Sequence, residues 1–131
     1  MTTNQSYVEH VAIRVKDIQW HIKFFHDVLG MEVREIDGPP EAPSQYWTIG
    51  GLQLMSTPDF VAPPAVQTGC LAHLGLMVQD LDLALTEAAS WGVQALPPGR
   101  NWLQLPDGLA LELIQAHGDS VAQALAVKSR A

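Results

Sequence analysis

Two histidines and one glutamate are the residues of this sequence whose types and positions suit metal chemistry. His10 and His73 each open a strand-like segment, and Glu112 lies inside the last one. Two imidazoles and a carboxylate form a ligand set for a divalent metal ion. Three protein ligands leave coordination positions open for a substrate, as catalysis requires. The single cysteine, Cys70, excludes an intrachain disulfide and a cysteine-rich zinc site, and we interpret it as a small apolar residue.

An internal repeat places the two histidines at equivalent positions. The segment HVAIRVKDI, which begins at His10, aligns without gaps with HLGLMVQDL, which begins at His73. The histidine, a valine and an aspartate are identical, and most of the other positions are conservative. Near the end of each half, GLQLM at 51–55 aligns by its glycine with GLALE at 108–112, which pairs Met55 with Glu112. We interpret the chain as a duplication.

Each half has the same predicted order of elements: a strand, an amphipathic helix and three short strands. Asp17 and Asp80 are placed to cap the helices, and Gly30 and Gly92 to end them. The fold class is therefore α+β, with two βαβββ modules in tandem. The predicted single domain spans 1–131, with module 1 at about 7–57, a proline-rich linker at about 58–69, module 2 at about 70–116 and a tail at about 117–131 that is either a short helix or frayed.

The alternation of side chains along the strands separates two faces. Apolar rows such as Val11, Ile13 and Val15 are predicted to pack under the helices. The opposite face carries His10, Gln53, His73 and Glu112, which would converge if the sheets curl around each other. The predicted substrate-binding residues on and around this face are Arg14, Trp47, Gln53, Met55, Met77 and Trp102.

Several charged or ionisable residues have simpler interpretations. Arg14 and Arg100 are each placed near the predicted cavity, where either could hold a substrate carboxylate, although a solvated arginine is the simpler reading of both. His21 and His26 on the first helix, and His117 after the last strand, are expected to be exposed.

Charge and hydropathy exclude several partners. The formal net charge of −7 argues against nucleic acid and against anionic membranes. No apolar run reaches the ~18 residues of a membrane span, and Met1 to Gln5 has no apolar signal-peptide core, so we expect a cytoplasmic protein. The expected partner is a small-molecule substrate.

The repeat and its flanking motifs resemble the vicinal oxygen chelate superfamily, which includes glyoxalases, extradiol dioxygenases, fosfomycin-resistance transferases and bleomycin-binding proteins. EHVAIRVKD at 9–17 with FFHDVLG at 24–30 is similar to the opening signature of that family, and LPDGLALEL at 105–113 is similar to its closing one. The resemblance covers about Tyr7 to Gln115 and implies a glyoxalase-like fold, in which a mixed eight-stranded curved sheet surrounds a metal cavity.

The resemblance also implies a site and a range of activities. The metal ligands that it implies are His10, His73 and Glu112, and the implied cofactor is a divalent ion (Fe²⁺, Mn²⁺, Ni²⁺, Co²⁺ or Zn²⁺). It also implies that Glu112 is the catalytic proton shuttle. Glyoxalase I proteins carry a fourth ligand where the repeat alignment places Met55; Gln53 would reach that place only with a register shift.

The implied function is that of a metal-dependent, glyoxalase-like lyase or isomerase. The alternatives are an extradiol-type dioxygenase and a non-catalytic small-molecule binder of the bleomycin-resistance type. A homodimer is expected, and the site forms either within one chain or across two.

Overall fold

The computed structural model describes residues 8–61 and 71–127, and these residues form two modules of the predicted kind. Cys70, most of the predicted linker and the last four residues of the tail lie outside the described residues. Module 1 contains β1 (Val11–Val15), α1 (Ile18–Asp27), β2 (Val33–Asp37), β3 (Gln45–Thr48) and β4 (Leu52–Ser56). Module 2 contains β5 (Leu74–Val78), α2 (Leu81–Ser90), β6 (Gln94–Ala95), β7 (Trp102–Gln104) and β8 (Ala110–Gln115), and α3 (Ser120–Ala126) follows it.

The eight strands form two separate sheets of four with the same topology. The strand orders are β1-β4-β3-β2 and β5-β8-β7-β6. In each sheet the first strand of the module pairs in parallel with the last, and the remaining pairs are antiparallel. The α+β class and the tandem βαβββ arrangement are therefore confirmed, with the strands divided between two curved sheets that do not close into one barrel.

Side-chain caps explain why α1 and α2 begin where they do. The side chain of Asp17 accepts a hydrogen bond from Trp20 N at 3.1 Å, and Asp80 accepts one from Leu83 N at 3.0 Å. Each aspartate thereby satisfies a backbone donor of the first helical turn. Among the described residues, no helix is long and apolar enough to span a bilayer.

The hydrophobic core lies between the helices and the inner faces of the sheets. Its fully buried side chains include Phe24 and Phe25 of α1, Leu54 of β4, and Leu111 and Leu113 of β8. The expectation that Val11 joins this core is wrong, because Val11 is 37% exposed. It is the first residue of an edge strand, which has a neighbouring strand on one side only.

The two modules are joined where α1 meets module 2. Asp107, in the turn before β8, accepts hydrogen bonds from Lys16 N at 2.6 Å and Asp17 N at 3.1 Å through the same carboxylate oxygen. Close by, the ring of Trp91 meets Trp20 and Phe24 edge to face, with centroids 5.7 and 5.8 Å apart. The start of α1 therefore packs against both its own sheet and the second module.

This packing corrects one expectation about the first helix. His21 was expected to be exposed, but it is fully buried, and its Nδ1 donates to the carbonyl oxygen of Asp17 at 2.7 Å. The face of α1 that the hydrophobic pattern assigns to solvent is covered because Asp107 and Trp91 of module 2 lie over it. His26 is half exposed and His117 is exposed, as expected.

Candidate functional site

In module 2, one histidine and one carboxylate converge on the sheet face turned away from the helix. His73 directly precedes β5, and Glu112 of β8 lies opposite Gly75. The His73 Nε2 and Glu112 Oε1 atoms are 3.5 Å apart, and the two side chains are 35% and 30% exposed. Two ligand atoms at about 2.1 Å from one cation, at a tetrahedral angle, would be about 3.4 Å apart. The spacing of this pair therefore suits two ligands of one metal ion.

The ring of Trp102 fixes the orientation of His73. Trp102 lies on β7 directly opposite Glu112, and its ring meets the imidazole of His73 edge to face at a centroid distance of 4.6 Å. Such a contact between an indole and another ring is favourable by about 0.5–1.5 kcal/mol beyond the area it buries. His73, Glu112 and Trp102 thus form one packed group on the open face of the sheet.

Module 1 carries the equivalent group with a different chemistry. His10 directly precedes β1, is 38% exposed, and its Nδ1 lies 2.8 Å from Glu9 Oε1. Gln53 of β4 is only 7% exposed, and its side-chain amide donates a hydrogen bond to Gln45 Oε1 on β3. The amide NH₂ of Gln53 therefore faces Gln45, and its carbonyl oxygen is the atom of this side chain that could bind a metal ion.

The strand registers correct the alignment of Met55 with Glu112. Gln53 lies opposite Ala12, two residues after His10, and Glu112 lies opposite Gly75, two residues after His73. On the neighbouring antiparallel strand, Gln53 lies opposite Trp47 of β3, just as Glu112 lies opposite Trp102 of β7. Gln53, and not Met55, therefore occupies the position in module 1 that Glu112 occupies in module 2.

The cause of the misalignment is a difference between two turns. Residues 49–51 connect β3 to β4, whereas residues 105–109 connect β7 to β8, so the second turn is two residues longer. Matching the glycines of the two turns shifts the following strands by those two residues. Met55 corresponds instead to Ile114, since Met55 lies opposite Arg14 and Ile114 lies opposite Met77.

The residues predicted to bind substrate lie on the same sheet faces as the histidines. In module 1 these residues are Trp47, Gln53 and Met55, which alternate with core residues, and Arg14, which lies opposite Met55. In module 2 they are Met77 and Trp102. Arg100 is different, because its side chain is 67% exposed and its guanidinium forms an ion pair with Asp82 of α2 at 2.9 Å. Arg100 is therefore a solvated surface residue.

A single chain does not bring all three predicted metal ligands together. Within residues 8–61 and 71–127, His, Cys, Asp and Glu side chains form no group of three that could hold a metal ion. His73 and Glu112 form one half of the predicted ligand set, and His10 lies on the other sheet with Gln53.

Sequence patterns did not identify Glu9 and Gln45 as parts of the site. Adjacent residues of a strand point to opposite faces, so the pattern separates Glu9 from His10; they meet because His10 lies just before the regular strand begins. Gln45 meets Gln53 diagonally across an antiparallel pair, and that contact depends on a register that the sequence does not specify.

Comparisons with known proteins agree on the fold. The profile of the Glyoxalase/Bleomycin resistance protein/Dioxygenase superfamily matches residues 7–104. No curated protein matches the sequence. Among solved structures, the chain is similar to the trypanothione-dependent glyoxalase I of Leishmania major, with a TM-score of 0.65 and 21% identity over 85% of this chain and 87% of that one.

Two further solved structures have the same architecture. A glyoxalase family protein from Enterococcus faecalis has a TM-score of 0.62 and 25% identity over 82% of this chain and 95% of that one. The genomically encoded fosfomycin resistance protein of Listeria monocytogenes has a TM-score of 0.59 and 15% identity over 89% of this chain and 96% of that one.

Proposed function

Because the chain belongs to the Glyoxalase/Bleomycin resistance protein/Dioxygenase superfamily, we propose that it is a metal-dependent enzyme of the glyoxalase-like lyase or isomerase type. Its substrate is a small organic molecule that presents two neighbouring oxygens to a divalent cation. The observation that carries this proposal is the 3.5 Å approach of His73 Nε2 to Glu112 Oε1 on an open sheet face, a spacing suited to two ligands of one ion.

The donor set fits a divalent transition metal. His10, His73 and Glu112 supply two nitrogens and one carboxylate, and the carbonyl oxygen of Gln53 is a fourth, neutral donor at the position equivalent to Glu112. Such a mixed set suits Fe²⁺, Mn²⁺, Ni²⁺, Co²⁺ or Zn²⁺. When bound, the ion supplies Lewis-acid stabilisation of negative charge that develops on a substrate oxygen.

The chain's own residues would carry out proton transfer and orientation. Glu112, whose carboxylate lies 3.5 Å from His73 on the open sheet face, would move a proton between neighbouring carbon atoms of the substrate. Trp47 and Trp102 flank the ligand positions and would exclude water from the reacting atoms. Arg14 would hold a carboxylate of the substrate, and Met55 and Met77 would contact its apolar part.

We propose further that each site is shared between two copies of the chain. On one chain His10, His73 and Glu112 are all about one-third exposed, and Met77 and Ile114 on the same face as His73 are 50% and 39% exposed. In a two-fold dimer, His10 and Gln53 of one copy would meet His73 and Glu112 of the other, which completes two equivalent sites.

Mixing two inactive variants tests the shared site. His10→Ala chains lack a ligand in module 1, and His73→Ala chains lack one in module 2. A mixed dimer would contain one site with both changes and one intact site, so random mixing restores about one quarter of the sites, measured as bound Zn²⁺. If the dimer is present but mixing restores no metal binding, then the site is not shared in this way.

Substrate turnover separates the reaction classes. Isomerisation of a 2-oxoaldehyde thiol adduct by the metal-loaded protein supports the proposal, and Glu112→Gln should abolish it. Oxygen consumption with a catechol would instead identify a dioxygenase. A metal-free protein whose His10→Ala variant keeps full affinity for an organic ligand would identify a non-catalytic binder.

A further inference from the structure

The carboxylate of Glu9 lies between a predicted metal ligand and a partly buried arginine. Glu9 Oε1 is 2.8 Å from His10 Nδ1 and 3.4 Å from Arg34 Nη1. The Glu9 and Arg34 side chains are only 23% and 22% exposed. This ion pair is therefore largely shielded from solvent. Charge-assisted contacts are stronger in such a shielded environment than at the surface.

Arg34 lies at a register shift in the opposite edge strand of the sheet. Glu9 precedes β1 at one edge of the sheet, and Arg34 belongs to β2 at the other. Between Val33 and Glu35 the register of β2 against β3 shifts, so that Arg34 is the extra residue of the bulge. Bulges redirect a side chain and are frequent beside functional sites. From this position the guanidinium contacts a residue that precedes a strand three places away in the sheet order.

The Glu9 contact determines which nitrogen of His10 is free. A carboxylate only accepts hydrogen bonds, so the hydrogen of the neutral imidazole must lie on Nδ1. The lone pair then lies on Nε2, the atom that can bind a cation. His73 also directs Nε2 toward the site, since that atom faces Glu112 at 3.5 Å. Both histidines therefore present the same nitrogen.

The two modules orient their histidines by different means. Ala72 stands before His73 where Glu9 stands before His10, so His73 has no carboxylate from the neighbouring residue. Its imidazole is held by the ring of Trp102 instead. A carboxylate that hydrogen-bonds the distal nitrogen of a metal-ligating histidine raises its basicity and fixes its rotation, and removal of such a group weakens metal affinity about 10–100-fold.

We propose that Glu9 is a positioning residue that fixes the tautomer and orientation of His10 for metal binding, and that Arg34 acts by holding Glu9. This inference rests on the proposed metal site. It assigns a role to a carboxylate that is not itself a ligand.

Zn²⁺ and Co²⁺ titrations of the purified protein test this role. Glu9→Ala removes the acceptor and should weaken metal affinity roughly 10–100-fold, whereas Glu9→Gln keeps an uncharged acceptor and should fall between Glu9→Ala and the wild type. Glu87→Gln is the matched control, because it removes the same charge from α2, a helix of the other module. Thermal melts of each variant establish that it is folded.

A double variant tests how Arg34 acts. If Arg34 works through Glu9, Arg34→Met weakens metal binding in the wild type, but adds nothing to Glu9→Ala. Fully additive losses would show that Arg34 acts independently and would overturn that part of the proposal.

Imidazole ¹⁵N NMR of the metal-free protein gives a readout that does not depend on metal. The wild type should show His10 with hydrogen on Nδ1, and Glu9→Ala should lose this preference while His73 is unchanged. If the wild type binds no metal, the proposed function fails whatever the NMR result. If it binds metal and Glu9→Ala matches it in both affinity and His10 tautomer, the positioning role is overturned while the proposed function stands.

Discussion

Replacement of Asp107 with alanine is expected to loosen the junction between the modules. One oxygen of this carboxylate accepts hydrogen bonds from two backbone N–H groups of module 1, at 2.6 and 3.1 Å, and the side chain is only 14% exposed. A hydrogen bond to a charged group contributes about 1.5–3 kcal/mol. Because both donors share one oxygen, we expect the free energy of unfolding to fall by about 2–4 kcal/mol rather than by the full sum.

The asparagine variant separates charge from hydrogen bonding. Asp107→Asn keeps one neutral acceptor, so we expect a smaller loss of about 1–2 kcal/mol. Equilibrium urea unfolding measures both losses, and each kcal/mol corresponds to roughly 3–5 °C in Tm for a chain of this size.

The matched control is Asp82→Ala, since the Asp82 side chain is 82% exposed and only forms a surface ion pair with Arg100. We expect this control to cost less than about 1 kcal/mol. If Asp107→Ala is no more destabilising than Asp82→Ala, then the carboxylate does not join the modules.

The remaining predictions concern the core, the first helix and the fourth donor. Leu111→Ala, at a fully buried position, should cost about 2–5 kcal/mol in urea unfolding, whereas Leu83→Ala, at a 53% exposed position, should cost less than about 0.5 kcal/mol. The hydrogen bond to Asp27 raises the pKa of His26 above 6.5, with the charge of Glu32 adding to the effect. A raised pKa in the folded state stabilises the protein below about pH 6.5, and this stabilisation is lost as the pH rises through the folded-state pKa. His26→Gln should therefore lower Tm slightly at pH 5.5 and leave Tm unchanged at pH 8.5. Gln53→Glu should tighten Zn²⁺ binding by adding a charged ligand atom opposite Ala12, and Gln53→Leu should weaken Zn²⁺ binding. If both variants and the wild type bind Zn²⁺ equally in a competition titration, Gln53 is not a ligand.

Local patterns predicted the elements of this fold well. The caps at Asp17 and Asp80 and the helix ends at Gly30 and Gly92 depend on interactions within a few residues, and the structure confirms them, with a positive φ at both glycines. The succession of strand, helix and three strands along each half of the chain also followed from alternation and turn residues.

Long-range contacts account for the errors. His21 is buried because the second module covers α1, which no periodicity within the helix can reveal. Met55 was aligned with Glu112 because similar glycines stand in turns of different length, and only the pairing of strands counts those residues correctly.

The amino-acid sequence by itself determined that the chain is a doubled βαβββ unit and that the side chains predicted to bind a metal ion fall on one face of each sheet, because both follow from repetition and from the two-residue period of a strand. Only the tertiary structure decided that Gln53 is the counterpart of Glu112, that Glu9 and Arg34 stand behind His10, and that His10 lies apart from the His73–Glu112 pair within one chain. These outcomes depend on hydrogen-bond register, on a bulge and on the packing of modules, which bring together residues that are distant along the chain.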